Sequence, residues 1–139
     1  MREKLLRLLG LMRRANALAV GETNTGSCVR AGKAELLLLA SDASDNARKR
    51  AEGFAAGHGV ETVELPFTKE EFSSAVGLNG GSMAAITDLG FACALLKGLA
   101  ELEPERYGAK EKEMEKRRER RGARQSARNT RIGKRRTNG

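Results

Sequence analysis

The fold is decided by the stretch Glu35-Leu36-Leu37-Leu38-Leu39-Ala40-Ser41-Asp42-Ala43-Ser44. Residues 35–40 are largely apolar without alternation, and a run of about six such residues is typical of a strand that is buried on both faces. Parallel neighbouring strands and a layer of helices on each side are therefore expected. Ser44 or Asp42 can cap the helix that follows, because a side-chain oxygen there accepts a hydrogen bond from the first turn.

Helices and strands alternate on both sides of this stretch. The first helix is predicted from Leu5, Leu8, Leu9 and Met12, whose i, i+3, i+4, i+7 spacing puts them on one face. Further strands are predicted around 18–20, 63–65 and 83–86, and further helices after the turn at 21–26, after Ser44, from Thr68 to about Val76, and over 89–99. This order predicts a three-layer α/β/α sandwich with a four-stranded mixed sheet, formed by residues 1–103.

The start of the fourth helix carries a specific local signal. Thr68 and Glu71 have the spacing of a capping box, and Phe67 and Phe72 stand where a hydrophobic staple requires them. The glycine-rich residues 77–82 then predict a loop before the last strand.

Charge divides the chain into two parts. Residues 1–103 hold 12 Lys+Arg and 13 Asp+Glu, a net charge of −1, whereas residues 104–139 hold 14 and 5, a net charge of +9. A segment with so few apolar residues cannot offset the entropy of folding, and residues 105–121 show no apolar stripe. Residues 104–139 are therefore expected to be a basic tail that is disordered or a frayed helix when free.

The residues that often carry catalysis have simpler structural roles in this pattern. His58 lies in a glycine-flanked turn with no nucleophile beside it in the sequence. Asp42, Asp45 and Asp88 lie between strands and helices, where helix capping explains them better than a metal ion does. Neither GxGxxG nor GxxxxGK[ST] occurs. We therefore expect no enzymatic activity, no cofactor and no metal.

The cysteines and the hydropathy together indicate where the protein is located. Cys28 and Cys93 are expected to be reduced, buried small residues. The apolar run 36–40 is far shorter than the roughly 20 residues that a membrane-spanning helix needs. We therefore expect a cytoplasmic protein without membrane contact.

Three strings in order resemble a known family. They are Gly21-Glu22 with Val29-Arg30-Ala31-Gly32-Lys33-Ala34 and the stretch 35–44, then Ala75-Val76-Gly77, then Ala84-Ala85-Ile86-Thr87-Asp88-Leu89-Gly90-Phe91-Ala92. Over residues 3–100 the chain is similar to the kink-turn-binding ribosomal proteins of the archaeal large-subunit seven-Ae type, in their bacterial YlxQ-like branch.

The resemblance implies an α/β/α fold that binds a kink-turn with tandem sheared G·A pairs. In the family, an Asn-Glu pair and a lysine at the start of the second helix read those base pairs, and the loop after the fourth helix covers an extruded nucleotide. The pair falls on Thr23 and Asn24 and the lysine on Ser27, and none of the three matches. The loop falls on 76–82.

The residues of that turn also suit RNA without the resemblance. A glycine-bounded helix start presents backbone N–H groups and a favourable dipole to phosphate, and hydroxyl and amide side chains can bind phosphates or base edges, although the same groups can simply cap the helix. The predicted RNA contacts are Gly21, Glu22, Thr23, Asn24, Thr25, Ser27, Arg30, Lys33, Val76, Gly77, Leu78, Asn79, Gly80 and Gly81.

The basic tail is expected to add attraction that is indifferent to sequence. Neutralising six phosphates gives a slope of about −5 in log affinity against log salt concentration. A solubilising polycation is the simpler alternative for this segment. The predicted phosphate contacts are Arg117, Arg118, Arg120, Arg121, Arg124, Arg128, Arg131, Lys134, Arg135 and Arg136.

These observations predict a non-enzymatic RNA-binding protein that acts as a monomer. Its partner is ribosomal or another structured RNA, with the ribosome as a further partner. The alternative is a protein-interaction module whose tail provides nonspecific affinity for nucleic acid. A preference of the domain for kink-turn RNA over plain duplex RNA distinguishes the two.

Overall fold

The computed structural model describes residues 1–77 and 81–138, and it describes side chains through residue 127. The elements in chain order are α1 (Arg2–Arg14), β1 (Leu18–Val20), α2 (Glu22–Arg30), β2 (Leu36–Leu39), α3 (Asp45–Ala56), β3 (Thr62–Glu64), α4 (Lys69–Val76), β4 (Met83–Ile86), α5 (Leu89–Leu102) and α6 (Pro104–Asn138). Within the described residues the strands form a sheet in the order β1-β4-β2-β3. The predicted α/β fold with a mixed four-stranded sheet is confirmed.

Strand β2 separates the two helical layers. All four of its residues are buried, as predicted. Leu36 and Leu38 pack in the core that contains residues of α1, α4 and α5. Leu37 packs on the other face with residues of α2 and α3, and Leu39 packs there with residues of α3. One strand therefore holds helices on both sides of the sheet, because successive side chains point to opposite faces.

The neighbours of β2 differ from the expectation that both are parallel. β3 is parallel to β2, but β4 is antiparallel and begins with Met83 opposite Leu39. Helix α4 packs against α1, where a Cβ atom on Gly10 would lie 2.7 Å from the carbonyl oxygen of Ala75. The chain consequently enters β4 beside Leu39, the last residue of β2, so β4 runs in the opposite direction to β2.

Three of the predicted helix caps are present. The Ser44 hydroxyl accepts from the Ala47 N–H, and the Asp88 carboxylate accepts from the Phe91 N–H. Thr68 and Glu71 form the capping box in both directions. The N–H of Thr68 and the guanidinium of Arg2 lower the pKa of Glu71, because both stabilise its charged form.

Helix α6 packs on the domain through its first turns, which the sequence pattern did not predict. Tyr107 and Met114 are buried in the main core, although residues 105–121 were expected to have no apolar stripe. The Tyr107 hydroxyl donates to the carbonyl oxygen of Glu64, and the Cys93 thiol donates to the carbonyl oxygen of Met114 at 3.6 Å. The domain boundary at residue 103 and the disorder of the free tail stay predictions.

Tyr107 reports this docking in solution, because it is the chain's single tyrosine and there is no tryptophan. Burial is the main cause that raises its pKa to about 12, and Arg106 opposes the shift. We expect a tyrosinate absorbance midpoint near that value in the native protein and near 10 in denaturant.

The raised pKa of Tyr107 makes the stability of the folded protein depend on pH. The protonated phenol is favoured by folding, so its stabilising contribution is complete below about pH 10 and is lost as the pH rises towards 12. A native midpoint equal to the denatured one would show that α6 is undocked.

Candidate nucleic-acid interface

The junction of β1 and α2 presents an open helix N-terminus. Gly21 adopts φ +94°, a conformation that favours glycine, and its N–H donates to the Met83 carbonyl oxygen at 2.9 Å. Among the described residues, no side chain caps α2. Its first-turn N–H groups are therefore available to an anion.

The loop after α4 lies beside this junction. Gly77 ends α4 in the left-handed conformation, with φ +72°. A Cβ atom on Gly81 would lie 3.0 Å from Cγ1 of Val20, so the backbone there approaches the end of β1 closely. The structure thus brings together two stretches that the sequence separates by more than fifty positions. Leu78, Asn79 and Gly80 lie outside the described residues.

A cleft of about 940 Å³ follows the edge strand β1 beneath α2, and we call it the β1–α2 cleft. Its cations are Arg13 and Arg14 from the end of α1 and Lys33 from the turn after α2; all three are exposed. Its other lining residues are Asn16, Leu18, Ala19, Val20, Asn24, Ser27, Cys28, Ala31 and Thr87. The cleft therefore combines positive charge with hydroxyl and amide groups, as a surface that binds a phosphate backbone does.

Five of the predicted contact residues in and just after α2 are exposed. Asn24, Ser27 and Lys33 line the cleft. Asn24 donates its amide to the Val20 carbonyl oxygen at 2.9 Å, which orients its side chain. Thr23 and Arg30 are exposed on the same helix, and the Arg30 guanidinium lies 3.5 Å from the Ser27 hydroxyl as a donor.

Three predicted contacts are buried or already paired in the structure. Thr25 is 0% exposed and Val76 is 4% exposed, so neither side chain reaches a surface ligand. Helix packing explains both, because Thr25 lies on the buried side of α2 and Val76 belongs to the main core. Glu22 forms an ion pair with Arg50 of α3, which attaches the start of α2 to its neighbour.

The cleft also contains residues that the sequence reasoning missed. Arg13, Arg14 and Asn16 precede α2 by fewer than ten positions, whereas Thr87 lies more than fifty positions after α2 and reaches the cleft through the sheet. Thr87 follows β4 and donates its N–H to the Ala17 carbonyl oxygen at 2.9 Å. The available signal was the Arg13-Arg14 pair at the end of the first helix, immediately before the turn into β1.

Two of the predicted phosphate contacts on α6 already form ion pairs within the protein. Arg117 and Arg121 both bind Glu35, whose side chain is 15% exposed. The hydrogen bond to Glu35 raises the pKa of Arg121. Arg118, Arg120 and Arg124 are exposed. The side chains of Arg128, Arg131, Lys134, Arg135 and Arg136 lie outside the described residues.

Other chemically reactive groups include two thiols and a carboxylate, and one of the thiols, Cys28, lies in the wall of the cleft. Cys28 and Cys93 are free and buried, as predicted, and burial raises the pKa of both thiols. Asp42 accepts from the N–H of Lys69, at the start of α4. Across the described part of the chain, no three His, Cys, Asp or Glu side chains gather as a metal site would require. None of its described helices has the length and apolar character needed to cross a membrane.

The fold and this cleft define a member of a known class. The chain belongs to the ribosomal protein L7Ae/L30e/S12e/Gadd45 family, which it matches over residues 3–96. It is 34% identical over 91 residues to the RNA-binding protein YlxQ of Enterococcus faecium, covering 66% of this chain and 86% of that protein. The resemblance expected from the sequence is confirmed.

Two solved structures share the fold. A protein of unknown function from Bacillus halodurans is 27% identical with a TM-score of 0.61, covering 66% of this chain and 92% of that one. The 15.5kD RNA binding protein of Giardia lamblia is 21% identical with a TM-score of 0.55, covering 74% of this chain and 88% of that one. The second likeness concerns the fold alone.

The close approach at Gly81 can be tested by adding one methyl group. In Gly81→Ala the new Cβ would lie 3.0 Å from Cγ1 of Val20 and 3.2 Å from Cε1 of Phe72. We expect a loss of about 1–3 kcal/mol in the free energy of unfolding, measured with urea. Gly57→Ala is the control, because its Cβ meets nothing within 4 Å and its φ of −78° suits alanine. Equal stability of the two variants would show that the loop does not pack against β1.

Proposed function

We propose that this protein is a non-enzymatic RNA-binding protein that recognises a kink-turn-like RNA in the β1–α2 cleft. The observation that carries the proposal is the convergence of Arg13, Arg14 and Lys33 on the face that the family resemblance assigns to RNA. The relative from Enterococcus faecium is named as an RNA-binding protein. Ribosomal or another structured RNA is the partner, bound by a monomer in the cytoplasm, with ribosome association as the setting.

The cations of the cleft explain how binding survives the departures on α2. Thr23, Asn24 and Ser27 stand where the resemblance implies an Asn-Glu pair and a lysine, and hydrogen bonds to charged groups contribute about 1.5–3 kcal/mol each. Arg14 and Lys33 line the same cleft as Asn24 and Ser27. They therefore supply from neighbouring segments the positive charge that α2 lacks.

Shape complements charge at the other end of the cleft. The open N-terminus of α2 offers backbone N–H groups to phosphate, while Val20 and the Gly81 backbone form the adjoining wall. A loop backbone close to this wall suits an extruded nucleotide, because glycine permits a base to approach the main chain. Specific contacts thus come from the domain, and α6 adds attraction that depends on salt.

The proposal predicts that charge in the cleft decides the preference among RNAs. For the double variant Arg14→Ala/Lys33→Ala, we expect at least a tenfold loss of affinity for kink-turn RNA, since two charge-assisted contacts are removed. Binding is measured by fluorescence anisotropy at moderate salt, on the full chain, with a kink-turn RNA and a plain duplex of equal length.

The control is Lys4→Ala/Lys97→Ala, which removes the same charge from a groove between α1 and α5. We expect it to retain the kink-turn preference. Equal affinity of the unmodified protein for both RNAs would overturn the proposal and favour the protein-interaction module instead. Equal losses in both double variants would show attraction by net charge without a site.

A further inference from the structure

A single carboxylate anchors α6 where the helix leaves the domain. Arg121 donates Nη1 to Oε1 of Glu35 at 2.7 Å and Nη2 to Oε2 at 3.2 Å, a bidentate pair. Arg117 lies 3.3 Å from both Oε2 and the carbonyl oxygen of Glu35. Because the Glu35 side chain is only 15% exposed, this double pair is screened less than an open surface ion pair. We call these three residues the Glu35 anchor.

The anchored arginines begin a regular series in the sequence. Arg117, Arg121, Arg124, Arg128, Arg131 and Arg135 are spaced by 4, 3, 4, 3 and 4 positions. In a helix such spacing keeps residues on one face, and α6 is helical from Pro104 to Asn138. The spacing therefore predicts an arginine stripe that continues past the anchor along the side of α6 that binds Glu35.

The anchor also lies beside one end of the β1–α2 cleft. Glu35 comes two residues after Lys33, which lines the cleft, and its N–H donates to the Ile86 carbonyl oxygen at 2.7 Å. Thr87, the next residue, lines the cleft as well. Helix α6 thus leaves the domain next to the Lys33 end of the cleft and extends about 25 Å beyond Arg121, at 1.5 Å per residue.

We propose that α6 from Arg117 onward is a positioned arm that binds the duplex stem flanking the RNA site, and that Glu35 sets its direction. The inference rests on the proposed function, since it needs RNA in the cleft. The ligand is the phosphate backbone of double-stranded RNA, which a row of arginines contacts without reading sequence. Glu35 is a positioning residue in this arrangement.

Because Glu35 is negatively charged, removing its charge changes the RNA affinity in opposite directions under the two explanations. Removing a negative charge near bound RNA strengthens or preserves binding if electrostatic attraction alone operates. If Glu35 positions the arm, the same change weakens binding to any RNA that the arm reaches. A kink-turn RNA with a short stem and one with that stem extended by roughly one helical turn, about ten base pairs, separate the two cases.

With the unmodified full-length chain, we expect the long-stem RNA to bind about tenfold more tightly than the short-stem RNA. Its slope of log affinity against log salt concentration should be steeper by about 3, as expected for four additional phosphate contacts. In Glu35→Gln, both differences should disappear while short-stem affinity stays the same or rises. Glu52→Gln, an exposed glutamate on α3, is the charge-matched control and should retain both differences.

A second pair of variants rotates the arginines after residue 123 about the axis of α6 and leaves the rest of the chain unchanged. Inserting two alanines after Ala123 rotates the following arginines by about 200°, whereas inserting four rotates them by a net of about 40°. We expect the two-residue insertion to lose the long-stem advantage and the four-residue insertion to keep most of it. Equal long-stem affinity in the two insertions, or an undiminished advantage in Glu35→Gln, would overturn the proposed arm.

The short-stem RNA tests the proposed function separately. Tight short-stem binding that depends on Arg14 and Lys33, without any effect of stem length, leaves the cleft as the binding site and removes the arm. Failure of the short-stem RNA to bind preferentially over plain duplex RNA overturns the proposed function, and the arm with it.

Discussion

The burial of β2 on both faces is the constraint on which the rest of the structure depends. Leu36 and Leu38 require a helical layer on one side, and Leu37 and Leu39 require another on the opposite side. A strand in this position cannot be an edge, so β4 and β3 pair with it and β1 is left outermost beside β4. The β1–α2 cleft exists because an edge strand beneath a short helix leaves a groove that the core does not fill.

Close packing of the helices then determines which groups surround that groove. A Cβ atom on Gly98 would collide with Cδ2 of Leu5, so glycine suits the close approach of α5 to α1 at this point. Helix α1 also packs tightly on α4 at Gly10, and its position places Arg13 and Arg14 at the cleft. The same core accepts Tyr107, which directs α6 along the sheet towards Glu35. Core packing and surface charge are thus connected through a few helix contacts.

Much of the fold follows from local patterns. The strand at Met83–Ile86, the capping box at Thr68 and the cap at Asp88 were predicted at the residues where the structure has them. The expectation of parallel neighbours for β2 was wrong on the β4 side, because the direction of β4 depends on where α4 packs. The docking of α6 was missed, because two apolar residues seven positions apart give too weak a periodic signal within a charged run. Of the candidate site, the sequence predicted Asn24, Ser27 and Lys33, which line the cleft. It also predicted Thr25, which is buried.

The amino-acid sequence by itself determined the order of helices and strands, the family, and the contrast in charge between residues 1–103 and residues 104–139. These properties depend on neighbours within a few turns of chain or on simple sums of charge. Only the tertiary structure decided that Arg13, Arg14 and Lys33 share a cleft and that Glu35 holds Arg117 and Arg121. The pairing of β1 with β4 and the course of α6 over the core bring these groups together, and both result from long-range packing that no local pattern records.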